Sequence, residues 1–266
     1  MRRPLIIAVA CLSGLVCFVA CATDEPGSPL PLPSALRDAG SALDVDAPAD
    51  DASLPFDAGG DTTEPTDAAS SFATYRIEVG SHTATVTGGT PSNPVAGFTT
   101  VPGRDFDFKF DSSARYVLLN PVQPNDQNDW SKLPGFSDCG QLDLAQYGAM
   151  FGWRWRLDRS PKMLEVTAYA NVAGTHATKL PPMLELSEAE LAAEAPLRYR
   201  VFIDGAAYRF SIKGTIGQRT IDVSTSLARG CAATGASTLK WASGLYFGGT
   251  STAPSVITAK IYERPF

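Results

Sequence analysis

A chain of 266 residues with 44% hydrophobic side chains can bury a core of ordinary size, and its net charge at pH 7 is a modest −6. That charge is unevenly laid: +2 over residues 1–20, −10 over 21–71 and +2 over 72–266. A near-neutral C-terminal part without a basic stripe argues against a nucleic-acid partner, and the acidic isoelectric point belongs to residues 21–71.

Met1 to Ala20 opens on Arg2 and Arg3 and runs apolar from Leu5, broken only by Ser13 and Gly14. A basic start followed by a short apolar run predicts a secretory signal, too short and wrongly flanked for a spanning helix. Phe18-Val19-Ala20-Cys21 resembles a lipobox, in which a small residue precedes a cysteine that receives diacylglycerol. Cys17 competes, but Val16 before it fits the motif poorly. The resemblance implies a bacterial lipoprotein whose mature chain starts at a lipidated Cys21. Ala22 stands where Asp would signal inner-membrane retention, which points to the outer membrane of a Gram-negative cell.

Residues 22–71 hold eleven Asp or Glu against a single Arg37, seven prolines, and one aromatic, Phe56. So little apolar surface cannot offset chain entropy, and so much like charge repels itself; an extended, disordered tether is predicted. No Asp-x-Asp-x-Asp-Gly loop with a closing Glu occurs in it, so it reads as a spacer and not as a calcium site.

From Phe72 to Phe266 the pattern is that of one β-rich domain. Thr74–Val79 alternates, with Tyr75, Ile77 and Val79 on one face. Asp105–Asp111 alternates strictly, predicting one buried and one wet face. Leu164–Val172 alternates too. Ser187 and Glu190 form a capping box that starts a short helix, stopped before Pro196. Leu197–Ile203, Asp204-Gly205 and Ala206–Lys213 read as a hairpin, followed by strands at Thr220–Ser224 and Val256–Tyr262. Strand after strand broken at Gly and Pro predicts an all-β antiparallel sandwich of the jelly-roll kind with one short helix. Cys11 and Cys17 leave with the signal. Cys139 and Cys231 remain, either as a disulfide in an oxidising compartment or as two unpaired buried thiols.

Familiar catalytic signatures are missing. His82 and His176 have no second ligand at metal spacing and read as polar surface residues. With no phosphate-cradling glycine loop, Gly-x-Ser-x-Gly elbow or His-Glu-x-x-His, neither a metal nor a cofactor is expected.

The distinctive stretch is Asp129-Trp130-Ser131-Lys132-Leu133-Pro134-Gly135-Phe136-Ser137-Asp138-Cys139. Phe151-Gly152-Trp153-Arg154-Trp155-Arg156, Glu165–Val172 and Tyr246-Phe247-Gly248-Gly249 follow it. In this order the segments resemble concanavalin-like jelly-roll proteins, a group that includes the alginate and glucuronan polysaccharide lyases. They are more similar still to bacterial proteins of unassigned function sharing the Lys-Leu, Phe-Gly-Trp-Arg-Trp and Phe-Gly-Gly pattern.

The resemblance implies a concanavalin-like sandwich and a polysaccharide ligand. The lyase lysine matches Lys132, which could neutralise a uronate carboxylate or assist proton abstraction. The lyase Ser and Arg of the next strand fall on Gly148 and Met150. Of the paired tyrosines Tyr169 matches, and Asn171 replaces its partner. Elimination needs a cation for the enolate-like intermediate and a tuned acid and base, so these losses favour binding without cleavage. Arg154 and Arg156 share the face of Met150 by strand parity. The ligand-contact set is therefore Trp130, Lys132, Arg154, Tyr169 and Asn171, with Tyr147, Trp241 and Tyr246 as further stacking surfaces. Trp153 and Trp155 share the parity of Phe151 and are expected in the core. The alternatives are a lyase acting on uronate polymers and a structural envelope protein that contacts another protein.

Membrane fractionation and intact-mass measurement check the anchor. The mature chain should begin at a diacylated Cys21, and Cys21→Ala should move the protein to the soluble fraction.

Overall fold

The computed structural model describes residues 72–89, 96–231 and 238–266; the signal, Cys21 and the acidic stretch 22–71 lie outside the described residues. Strands β1 (Ala73–Ile77), β2 (Ala84–Gly88), β3 (Gly97–Thr99) and β4 (Gly103–Phe110) come first. β5 (Ser131–Lys132), β6 (Gly135–Ser137), β7 (Tyr147–Arg156), β8 (Met163–Val172), β9 (Thr175–Thr178) and β10 (Leu184–Ser187) follow. After α1 (Glu188–Ala192) come β11 (Leu197–Asp204), β12 (Ala207–Ile216), β13 (Arg219–Ala228), β14 (Lys240–Ser243) and β15 (Ile257–Glu263).

They form an antiparallel β-sandwich, in agreement with the alternation. The first sheet runs β13-β12-β11-β4-β15-β1-β2. The second runs β10-β8-β7-β6-β14-β3, with β5 also on β7 and β9 also on β8. Between them Phe106, Phe108 and Phe110 of β4 and Tyr199 and Val201 of β11 meet Phe151, Trp153 and Trp155 of β7. Both tryptophans are thus core, as their parity requires.

The Asp105–Asp111 stretch departs from expectation. Its apolar face is buried, but its polar face is not wet: Asp105 and Asp107 are also buried. Register explains this. Arg198 on β11 lies opposite Asp107 and reaches Asp105 with Nη2 at 2.7 Å, while Arg264 just beyond β15 covers Asp107, also at 2.7 Å. The first strand also ends earlier than its alternation suggested, at Ile77, and Val79 stands out in the following turn. The capping box forms as read: the Ser187 hydroxyl accepts from the Glu190 amide, and the Ser187 amide donates to Glu190 at 2.8 Å.

Cys139 and Cys231 are joined in a disulfide, which chooses between the two alternatives left open above. Beside it the fully buried Asp138 accepts a fork of bonds from Arg229 and one from the Tyr208 hydroxyl at 3.1 Å. A second buried pair, Arg104 with Glu263, lies within the first sheet, and Arg104 from there reaches the second. Arg104 also donates to the carbonyls of Gly135 on β6 (2.9 Å) and Ser243 on β14 (3.2 Å). Each carboxylate is matched by a bidentate guanidinium, the geometry that best offsets desolvation.

The disulfide closes a sequence separation of 92 residues. The chain-entropy account gives a loop of that size about 4–5 kcal/mol, and removed native disulfides cost about 2–5 kcal/mol. In calorimetry the double variant Cys139→Ser/Cys231→Ser should melt lower by roughly 5–15 °C for a domain of this size.

Candidate functional site

The outer face of the second sheet is set by the β7–β8 register. Gly148 pairs with Asn171, Met150 with Tyr169, Gly152 with Thr167 and Arg154 with Glu165. Next to β7, Gly135 of β6 pairs with Ser243 of β14. Gly135, Gly148 and Ser243 leave a low floor between the larger side chains. At Gly135 a side chain would have no room, since a Cβ would lie 2.5 Å from both the Ala149 carbonyl oxygen and Met150 Cβ. Over this floor lies a groove of about 720 Å³, bounded by Asp143–Ala145 on one side and by Ala84 and Val86 of β2 on the other.

Lys132 enters the groove because β5 is held from both sides. It pairs with Gly152 on β7, and its backbone exchanges hydrogen bonds with Tyr246 at 2.8 and 2.9 Å. Its Nζ donates to the Trp130 carbonyl at 2.6 Å and stands 5.1 Å from the centre of the Tyr169 ring. Burial lowers the Lys132 pKa to about 8, against the opposing pull of the Asp129 carboxylate. The same two influences, burial first and the Asp129 charge second, push the Tyr169 hydroxyl up to about 12. In this pair the lysine can lose a proton near neutrality and the tyrosine keeps its own.

Two histidines complete the arrangement. His176 of β9 stacks on Tyr169 with ring centres 5.8 Å apart and planes within 9°. His82 stacks on Tyr246 at 5.2 Å and 10°. His82 Nδ1 lies 2.8 Å from the Phe247 carbonyl oxygen, which can only accept, so Nδ1 carries the proton.

Of the residues singled out in the sequence, Lys132, Tyr169 and Asn171 line the groove together with Met150, Trp241 and Tyr246. Asn171 donates from Nδ2 to the Leu144 carbonyl at 2.8 Å and so positions the groove's side wall. Trp130 and Arg154 lie on the same outer face but not in the groove lining. Trp130 covers Gly152, where a Cβ would meet its ring at 3.2 Å. The Arg154 guanidinium stacks on Trp130 at 3.9 Å, and its charge is taken up by the buried Glu165 at 2.8 Å and the Asn128 carbonyl at 2.8 Å. Arg156 and Arg159 share that carboxylate.

His176 is the groove neighbour that sequence reasoning passed over. It is solvent-exposed, as a surface residue should be, yet β9 folds back on β8 and brings it beside Tyr169. The signal was the turn Ala173-Gly174. Both residues have positive φ (50° and 77°), the conformation of a two-residue hairpin between alternating runs. Among the described residues, the one cluster of three possible metal ligands is Asp138, Cys139 and Cys231, and its two sulfurs are bonded to each other.

The chain matches no family model and no curated protein sequence. Among solved structures it is similar to the alginate lyase from Klebsiella pneumoniae (15% identity, TM-score 0.38), over 60% of this chain and 57% of that one. It is also similar to the enzymatically active domain of tailspike protein 2 from bacteriophage CBA120 (10% identity, TM-score 0.35), over 75% of this chain and 30% of that one. A third is the CBM2 module of the evolved Dit of Lactobacillus casei BL23 phage J-1 (8% identity, TM-score 0.33), over 77% of this chain and 94% of that one. At these TM-scores the likenesses carry no functional argument, and the chain spans just over half the length of the alginate lyase it matches.

The half-buried Lys132 gives a test by pH. Its charged form is disfavoured in the fold, so between about 8 and 10.5 the unfolded chain binds more protons than the folded one, and stability rises with pH there. NMR detection of the Lys132 ammonium should show a midpoint near 8. Lys132→Met should remove that rise from chemical denaturation profiles.

Proposed function

We propose that the domain binds a polysaccharide chain in this groove without cleaving it, carried to the cell surface on a lipid-anchored tether at Cys21. The observation that supports this reading is the convergence of Lys132, Asn171, Tyr169, Trp241 and Tyr246 in one groove. Pyranose rings present apolar faces that stack on aromatic rings, while a few polar groups fix their orientation. Lys132 offers a charge to a uronate carboxylate and Asn171 an amide to a ring hydroxyl. Arg154, closed into its network with Glu165, acts behind the groove by holding Trp130 in place.

A second reading is favoured by one specific feature. Tyr169 lies between His176 and Lys132, so an acid, a base and a cation stand within one site. Elimination from a uronate requires a base to take the proton next to the carboxylate and an acid to protonate the departing oxygen. Against it stand Gly148 and Met150, which contribute no functional group opposite Asn171 and Tyr169.

Calorimetry against alginate and glucuronan oligosaccharides, paired with ultraviolet absorbance of unsaturated uronates, separates these readings. Binding in the micromolar-to-millimolar range, about −4 to −8 kcal/mol, is expected without a rise in absorbance. Tyr246→Ala should weaken it by about 1–3 kcal/mol, by analogy with bases stacked on aromatic platforms. An absorbance rise that His176→Ala abolishes would replace binding by the lyase reading.

A further inference from the structure

We infer that the ligand of this groove, on the reading just given, is a sparsely charged heteropolymer: one carboxylated sugar over Lys132, followed across the strands by neutral sugars stacked on Trp241 and Phe98. The charge layout leads to this. Among the described residues lining the groove Lys132 is the one lysine or arginine, and it lies at the β5 end; the one acid among them is Asp143, on the side wall. From there toward β14 and β3 the outer positions are Gly135 and Ser137, Trp241 and Ser243, and Phe98, none of which bears charge. Arg104 and Lys240, the cations nearest these strands in sequence, are buried on the opposite face, between the sheets. A homopolymer of uronates would lay a carboxylate on every ring. One would meet Lys132, and the rest would be desolvated over aromatic faces or brought toward Asp143, both unfavourable.

The aromatic positions give the path its direction. Trp241 and Phe98 are register partners on β14 and β3, edge to face with centres 5.2 Å apart and planes at 85°. Trp241 lies in the groove, whereas Phe98 stands beyond its lining and is 64% exposed on the edge strand. Strands lie about 4.8 Å apart, so the four steps from Tyr169 on β8 to Phe98 on β3 cover about 19 Å, room for several sugars in a row. Phe98 is therefore a distal stacking position that a short ligand seated at Lys132 does not reach.

Calorimetry on the full chain with three hexasaccharides tests this: a neutral β-glucan, a homopolyuronate, and a neutral chain carrying one glucuronate at its end. The singly charged hexamer should bind about tenfold more tightly than either of the others. Phe98→Ala, an exposed change whose fold is checked by its thermal melt, should weaken the singly charged hexamer about tenfold and leave its glucuronate-bearing disaccharide unchanged. A homopolyuronate that binds as well as the singly charged chain overturns the inference, as does a Phe98→Ala variant that holds the hexamer undiminished. In either case the groove would still be a polysaccharide site. If no saccharide of any class binds, that broader reading falls as well.

Discussion

Alternation along β7 sends Phe151, Trp153 and Trp155 into the space between the sheets and Gly148, Met150, Gly152 and Arg154 the other way. Both faces of this strand are buried over most of its length, an unusual condition in an antiparallel sheet. The inner face meets it with large aromatics. The outer face meets it with two glycines over which other parts of the chain close: Trp130 over Gly152 and the Asp143–Ala145 wall beside Gly148. Groove depth thus depends on the same strand that supplies the core. A bulky residue at Gly148 would fill the floor, and one at Gly152 would displace Trp130 and with it the cover of Arg154.

Two buried guanidinium–carboxylate pairs hold the sandwich in one alignment. Apolar contacts between sheets are not directional, so they tolerate small slides; the directed hydrogen bonds of these guanidiniums and their partners do not. Arg104 reaches from β4 to carbonyls on β6 and β14, and the Tyr208 hydroxyl reaches from β12 to Asp138 just past β6. Both converge on β6, a strand of only three residues. Three residues could not hold that place by ladder bonds alone, and the two pairs supply the anchorage that its length lacks.

The legible parts of the fold are those whose pattern is local. The strict alternation of β4, β8, β11 and β12 and the Ser187 capping box depend on neighbours in sequence, and each formed where read; the hairpin turn falls on Gly205-Ala206, one residue later than the expected Asp204-Gly205, because Asp204 still pairs with Ala207. Strands β5, β6 and β14 have two to four residues and no period of their own. β5 and β6 exist because β7 pairs with them, and β14 because it lies between β6 and β3, so nothing in their own composition announces them. The same holds for the charges. Asp105 and Asp107 read as a wet face because their cover, Arg198 and Arg264, comes from strands far away in sequence. Arg154 read as an available cation because Glu165 lies eleven positions on, across a hairpin. In the groove, parity was enough to put Tyr169 and Asn171 on one face, and the motif resemblance around Asp129–Cys139 pointed to Lys132. The place of His176 required the fold-back of β9.

The first and last strands of the domain lie side by side. Ala73 pairs with Ile261, and β1 is flanked by β15 on one side and β2 on the other. Just before it, Phe72 packs on Tyr262 and beneath the Lys109 ammonium, 4.3 Å from its ring centre. A pull transmitted through residues upstream of Phe72 therefore arrives along the axis of a strand bonded on both edges. It loads two ladders at once in shear, where all the bonds must yield together, and not in the peeling mode in which they fail one by one. The pairing of its terminal strands thus gives the domain mechanical resistance at the point where the chain enters it.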